Sequence, residues 1–305
     1  MPELPEVETV VRDLRPLVVG RTIRAVRHGK KKLRVPWKPA WNARIAGTRI
    51  EALRRRGKWI VVELVGRAVP DTDDAGAGVS GTARPTRDEG SPRLLVHLGM
   101  TGQFTAVSAT VPRPDHLHVV FELDGGRELR FRDPRRFGCV TLHTDEAAIA
   151  TRFEEIGLGP EPFAVDGNYF FNMVRKSART LKAILLDQSV VAGVGNIYAD
   201  EACSVSGLHP RRRGKSLAVD EIDRLRESIE TVLTNAIEKR GSTIRDYVGG
   251  SGLRGGFQNE FRVYGRTGDP CQTCTAPIEC VRLSGRSSHY CPACQRPGVR
   301  RQETG

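Results

Sequence analysis

The first stretch of the chain places Val7, Val10, Val11, Leu14, Leu17 and Val18 at helical spacing. Pro5 suits the first turn of such a helix and Gly20 its end, with Pro16 expected to kink or fray the last turn. From residue 22 to about residue 143 the pattern changes to short β-rich runs at 59–64, 94–97, 117–123 and 128–131. The last two are joined by Asp124-Gly125-Gly126, a hairpin turn. This texture predicts an antiparallel sandwich or barrel carrying a helix at its amino end. Residues 66–92, rich in Gly, Pro, Asp, Thr and Ala, contain no apolar side chain larger than valine and predict a disordered loop between two strands. After Gly157-Leu158-Gly159-Pro160 helical spacing returns, at 182–187, at 196–206 and most clearly at 219–240. There Ile222, Leu225, Ile229, Val232, Leu233 and Ala236 share one face and Gly241 marks the stop.

The whole predicts an α+β protein with three parts. Residues 1–157 form a β-sandwich domain with an amino-terminal helix, 158–256 a helical domain, and 257–305 a cysteine-rich module. No uninterrupted apolar run has the length a bilayer requires, and the start MPELPEVETV lacks the basic-then-apolar layout of a secretion signal. A soluble, cytoplasmic protein is therefore expected. Lys and Arg outnumber Asp and Glu by 48 to 36, a formal charge of +12. Such an excess favours polyanions, nucleic acid above all, because each neutralised phosphate releases condensed counterions. Charge alone does not separate that reading from a merely basic soluble protein.

Seven cysteines are an odd number, and five of them crowd into the last 35 residues, which does not suit a secreted disulfide scaffold. Cys139 and Cys203 stand alone and read as buried thiols. Cys271-x2-Cys274 and Cys291-x2-Cys294, sixteen residues apart, supply four thiolates for one tetrahedral Zn²⁺. The segment 277–290 between them has the length of a β-hairpin, and Cys280 falls outside the pattern. A complete thiolate shell leaves no open coordination position, so the ion is structural. Its product is a rigid hairpin presenting Arg282 and Arg286 to phosphates.

Gly193-Val194-Gly195-Asn196 precedes the helical run at 196–206, with Asn196 a good N-cap and the turn's amides a potential anion site. A tight interhelical turn fits the same residues. Lys176, Arg179 and Lys182 before it and Arg211-Arg212-Arg213 after it favour a phosphate-binding role.

MPELPEVETV, RRRGKW around Lys58, HLGMTG around Met100, DPRRFG around Arg135, LLDQSVVAGVGNIYADE and GRSSHYCPACQ occur in that order. Together they resemble the formamidopyrimidine-DNA glycosylase family over nearly the whole chain, residues 66–92 and the extreme tail excepted. The resemblance implies a helix–two-turns–helix DNA-binding motif centred on 193–196, the zinc finger already derived, and a monomer acting in the nucleoid. Its substrate would be double-stranded DNA carrying oxidised purines or abasic sites. It implies excision and strand nicking through an amine that attacks the sugar C1′ and stays attached as an iminium.

Pro2 matches the family's nucleophile. An α-amino group has a pKa of about 7.7–8.0, so a useful fraction is neutral near pH 7, and a secondary amine condenses to a cationic iminium directly. Pro2 becomes terminal once Met1 is removed. Glu3 matches the acid/base carboxylate, Lys58 the lysine that assists β-elimination or contacts phosphate, and Arg286 the finger arginine of δ-elimination. Glu6 is placed near the extruded base. Met100, Arg135 and Phe137 match the trio that fills the gap left by a flipped nucleotide, wedges the stack and pairs the orphaned cytosine. His116 matches a DNA-contacting histidine. Residues 241–264 resemble the loop over the flipped purine, with Tyr247 and Gly255-Gly256 as parts of a lid.

The stretch 66–92 is longer than the family pattern requires. Two other readings of the chain carry distinct signatures. An endonuclease VIII-like glycosylase for oxidised pyrimidines lacks the LPEVE continuation and this lid-like segment. A non-catalytic zinc-finger protein binding damaged DNA would not need Pro2, Glu3 and Lys58 together, and an RNA-binding basic protein would not need the amino-terminal cluster at all.

Overall fold

The computed structural model describes residues 1–29, 31–66, 91–242 and 255–297. The chain opens with helix α1 (Leu4–Val18) and continues through β1 (Ile23–His28), α2 (Ala40–Ile45), β2 (Arg49–Arg56), β3 (Trp59–Val65), β4 (Arg93–His97), β5 (Gln103–Ser108), β6 (Leu117–Leu123), β7 (Arg127–Arg132) and β8 (Cys139–His143). Helices α3 (Glu146–Glu155), α4 (Gly167–Arg175), α5 (Leu181–Leu186), α6 (Asn196–Val205) and α7 (Val219–Glu238) follow, and a final hairpin pairs β9 (Glu279–Leu283) with β10 (Arg286–Tyr290). Two compact units result: among the described residues one holds Met1–Pro2 and Val7–Glu155, the other Glu3–Glu6 with residues 156–242 and 255–297. Among the described residues no helix is long and apolar enough to cross a membrane.

The first unit holds two four-stranded antiparallel sheets, ordered β1-β6-β7-β5 and β2-β3-β4-β8. Their inner faces share one core with the apolar stripe of α1, including Val7, Val10, Leu14, Ile50, Ile60, Phe104, Phe121 and Phe131. Pro16 does not end α1, which runs on to Val18. A proline so close to the end forfeits only one late backbone bond, so the helix continues past it. Strand β3 reads as a nearly continuous apolar run because both of its faces are covered. Val61 and Leu95 on the outer face pack with Ile149 of α3. The β6–β7 turn at Asp124–Gly126 has Gly125 and Gly126 at φ of 67° and 71°.

The second unit is built on α7, whose Ile222, Leu225, Ile229, Val232 and Leu233 face a core shared with Leu4, Phe170, Leu185, Val194 and Tyr198. Thr180 caps α5 through its side chain, accepting from Ala183 N, and Asp166 caps α4 by accepting from Tyr169 N. The finger hairpin belongs to this unit. Gln295 Nε2 donates to Leu208 O at 2.9 Å, and the His209 and Tyr290 rings lie 4.2 Å apart.

Candidate active site and metal centre

Glu3 is 2% exposed, and its carboxylate accepts the backbone N–H groups of Ile197 at 3.0 Å and Tyr198 at 3.4 Å. Those are free amides of the first turn of α6, where the helix dipole favours negative charge. The turn at 193–196 is thus an anion site, as its sequence suggested, but its anion is an internal carboxylate. The capping differs from expectation as well. Gly195 occupies the N-cap and Asn196 is the first helical residue. A side chain at the cap is excluded by space: a Cβ on Gly195 would lie 2.3 Å from Glu3 Cδ. Asn196 Nδ2 reaches Tyr264 Oη at 3.5 Å, while its buried Oδ1 has no hydrogen-bond partner among the described residues.

Glu6 is also buried and accepts from several donors. Tyr198 Oη donates at 2.5 Å and Ser242 N at 2.7 Å to one carboxylate oxygen, which Ser242 Oγ also meets at 3.0 Å. Glu3 N donates to the other oxygen at 2.8 Å. Glu6 therefore fixes the backbone of Glu3, and burial next to these carboxylates pushes the Tyr198 hydroxyl pKa well up, so it stays a donor. No local pattern in the sequence marks Tyr198 or Ser242 for this role. Pro2 is buried while Met1 is exposed.

In the first unit Lys58 sits in the two-residue turn between β2 and β3 and is 7% exposed, so it is not a free surface lysine. Its charge is felt by His97, whose pKa falls to about 4 through burial, Lys58 and Arg34. His97 Nδ1 accordingly accepts the Gly99 N–H at 3.0 Å, next to Met100.

Met100 is 41% and Phe137 46% exposed, far above any apolar residue of the core. Arg135 lies over the Phe137 ring, its guanidinium carbon 4.9 Å from the centroid. Both loops hang on Asp133, which is completely buried. Its Oδ1 accepts Thr101 Oγ1 at 2.6 Å and Arg135 N at 3.2 Å, its Oδ2 accepts Gly138 N at 2.8 Å, and its carbonyl lies 2.9 Å from His118 Nε2. Gly99, at φ 59°, is pressed so closely on this loop that a Cβ would meet Gly138 N at 2.5 Å. Asp133 carries no separate signal in the sequence beyond its place in the DPRRFG motif. His116 is exposed at φ 64° at the entry to β6.

Of the basic residues expected at phosphates, Lys176 and Arg179 are exposed, Arg179 also pairing with Asp187 at 2.6 Å. Lys182 departs from that expectation. It is 0% exposed, and its ammonium donates to Asp200 Oδ1 at 2.5 Å and to Asn196 O at 2.8 Å. On the short helix α5 it turns inward because Asp200 waits there, so it is not available to DNA. Glu201, next along α6, accepts the N–H groups of Arg262, Val263 and Tyr264 at 2.9–3.0 Å, a role with no local signature either. Tyr247 lies outside the described residues, as do positions 67–90 of the expected loop and positions 243–254 of the expected lid.

The four cysteines Cys271, Cys274, Cys291 and Cys294 bring their sulfurs within 4.8 Å of one another. Thr273 N points at Cys271 Sγ and Cys294 N at Cys291 Sγ, each at 3.4 Å, the amide-to-thiolate bonds of a knuckle. Burial opposes charge on Cys271, but the amides of Thr273 and Cys274 bring its pKa down to about 6. The donor set thus fits a single structural zinc held by all four residues. Cys280 is exposed and outside the cluster. Arg286 opens β10 and is exposed, as is Arg282.

Residues 1–140 match the formamidopyrimidine-DNA glycosylase N-terminal domain, 158–248 the formamidopyrimidine-DNA glycosylase H2TH domain, and 268–297 a zinc finger found in FPG and IleRS. A formamidopyrimidine-DNA glycosylase of Herpetosiphon aurantiacus is 42% identical over 299 residues, 97% of this chain and 100% of that protein. A mutant of the Lactococcus lactis FPG, solved in complex with a Fapy-dG containing DNA, superposes with a TM-score of 0.83 at 32% identity, covering 97% of this chain and 100% of that one. The Lactococcus lactis Fpg bound to an abasic site containing DNA gives a TM-score of 0.82 at 32% identity, covering 96% and 99%.

Proposed function

Since the chain belongs to the formamidopyrimidine-DNA glycosylase family, we propose that it removes oxidised purines, 8-oxoguanine and formamidopyrimidines, from duplex DNA and nicks the abasic strand by β,δ-elimination through a Schiff base on Pro2. The observation that supports this most is the treatment of Glu3, the residue after the nucleophile. A carboxylate 2% exposed and fixed by two α6 amides is costly to hold unless its place matters.

With Met1 removed, the Pro2 nitrogen uses its lone pair to attack C1′. The glycosidic bond breaks, and its electrons leave with the base, which takes up a proton. Opening of the sugar ring transfers the C1′–O4′ electrons to O4′, and the Glu3 carboxylate passes to that oxygen the N–H proton it takes from the Pro2 nitrogen. The iminium left on Pro2 acidifies C2′. Loss of that proton expels the 3′ phosphate with the C3′–O electrons, and a second proton loss expels the 5′ phosphate. Water then hydrolyses the iminium and frees the amine. Lys58 and Arg286 stabilise or protonate the departing phosphates. Glu6 holds the backbone of Glu3 rather than reacting.

Flipping leaves a void in the duplex. Exposed Met100 and Phe137 fill it, and Arg135 pairs with the orphaned cytosine. Lys176, Arg179, Asn196 and His116 contact backbone phosphates, and Tyr247 belongs to the loop that covers the base. The zinc holds the finger rigid and takes no part in the reaction. The partner is double-stranded DNA, bound by a monomer in the cytoplasm.

Matched duplexes carrying one 8-oxoguanine, one formamidopyrimidine or one oxidised pyrimidine test the reading, with released base and strand ends followed separately. Faster release of both purine lesions, with phosphate at both ends of the gap, is expected. Preference for the pyrimidine would favour an endonuclease VIII-like enzyme, and tight binding without release a damage-binding protein.

A further inference from the structure

Asp200 has no part in that chemistry, yet it is one of the most fully enclosed charges in the second unit, at the middle of α6. Its two oxygens serve two different elements. Oδ1 accepts the Lys182 ammonium of α5 at 2.5 Å. Oδ2 accepts the backbone N–H of His289, in β10, at 2.9 Å and lies 3.1 Å from His289 Nδ1. Lys182 donates a further proton to Asn196 O at 2.8 Å, at the start of α6. The His289 ring also packs edge-on against Tyr264 at 5.0 Å.

A buried ion pair is a weak source of stability, because desolvation offsets most of the attraction, but it is strict about geometry. Here it grips a main-chain amide, so it sets where the strand runs and not merely where one side chain lies. Other finger contacts, Gln295 with Leu208 and Tyr290 with His209, reach the metal end of the hairpin. His289 lies three residues from Arg286 on the same strand, and β10 pairs with β9 in unbroken register from Arg286↔Leu283 to Tyr290↔Glu279. Three residues of strand span about 10 Å. A tilt of about 10° at the anchor would therefore move Arg286 by about 1.7 Å, and a misplacement of about 1 Å at a reacting group can cost about 100-fold.

We propose that Asp200 is a positioning residue that registers the zinc hairpin on α5 and α6 and thereby places Arg286 for the second elimination. This rests on the function proposed above, specifically on Arg286 assisting δ-elimination.

Asp200→Asn keeps the shape but turns one acceptor into a donor, which must oppose either the Lys182 ammonium or the His289 N–H. The expected result is a β:δ product ratio shifted at least tenfold towards β, with base release changed less than threefold and zinc still at one per chain. Amide hydrogen exchange at His289 should accelerate at least tenfold while the core of α7 is unchanged. If Asp200→Asn does not fold, the double variant Lys182→Met/Asp200→Leu removes both charges together and should shift ratio and exchange alike. A folded, zinc-bound variant with the wild-type ratio overturns the proposal, and so does an equal loss of base release and both eliminations. Failure of the wild-type protein to release base or to leave δ product would instead count against the proposed function, and the His289 exchange rate would still judge the anchor.

Discussion

Gly195→Ala isolates the contact between Glu3 and α6. Gly195 has φ −133° and ψ −155°, an extended conformation open to any residue, so backbone strain plays no part. Space decides the outcome. The new Cβ would stand 2.3 Å from Glu3 Cδ and 2.6 and 2.7 Å from its oxygens, against about 3.5–4.0 Å for ordinary carbon contacts. The carboxylate must retreat by about 1.2 Å or more, which takes the Ile197 N–H bond from 3.0 Å to roughly 4 Å and abolishes it. Two hydrogen bonds to a charged group, about 1.5–3 kcal/mol each, are lost or weakened, and Glu3 recovers part of that through hydration. A net destabilisation of about 2–4 kcal/mol is expected by urea unfolding. If Glu3 is the acid, single-turnover base release falls about 100-fold. Cleavage at a ready-made abasic site, which needs no base departure, falls by about tenfold or less. Gly167→Ala is the control, since a Cβ there meets nothing within 4 Å. Stability within about 0.5 kcal/mol of wild type together with base release within threefold would show that the Glu3–α6 contact matters to neither.

Three other outcomes follow from the same geometry. Cys274→Ser removes one of four thiolates, so metal analysis should show loss of the stoichiometric zinc and DNA affinity should drop, whereas Cys280→Ser leaves both intact. His97 stays neutral in the folded protein down to about pH 4 while the unfolded chain protonates it near 6.5, so stability declines as pH falls through that window and levels off below it. The gap corresponds to about 3 kcal/mol at most, and His97→Asn, which keeps an acceptor for Gly99 N–H but cannot titrate, should flatten that part of the stability profile. Met100→Ala should leave the unfolding midpoint unchanged, because the side chain is already 41% exposed, yet slow base release from a duplex at least tenfold.

What the sequence made legible were features with local signatures. The stripe on α7, the Asp124–Gly126 turn and the paired CxxC knuckles each follow from spacing within a few residues. Met100 and Phe137 stand beside Gly99, Gly102 and Gly138 in short loops and are exposed. Long-range pairing was not legible. Lys182 looked like a phosphate ligand because nothing near it announced Asp200, eighteen positions on. Glu3 and Ile197 are 194 positions apart, so no spacing could show that the anion at the α6 turn comes from the chain's own start. Asn196 has every local quality of an N-cap, and only the carboxylate crowding Gly195 explains why the cap falls one residue earlier. The same holds for Asp133, whose partners Thr101 and Gly138 come from two different loops.

The proposed reaction depends first on the amine of Pro2. Protein checked by mass for removal of Met1 should be incubated with an 8-oxoguanine:cytosine duplex and cyanoborohydride, and the adduct digested and mapped. A covalent protein–DNA species is expected whose modified peptide begins at Pro2 and which is absent from Pro2→Gly protein. An adduct mapped to a lysine, or base release without any trapped species, would contradict it.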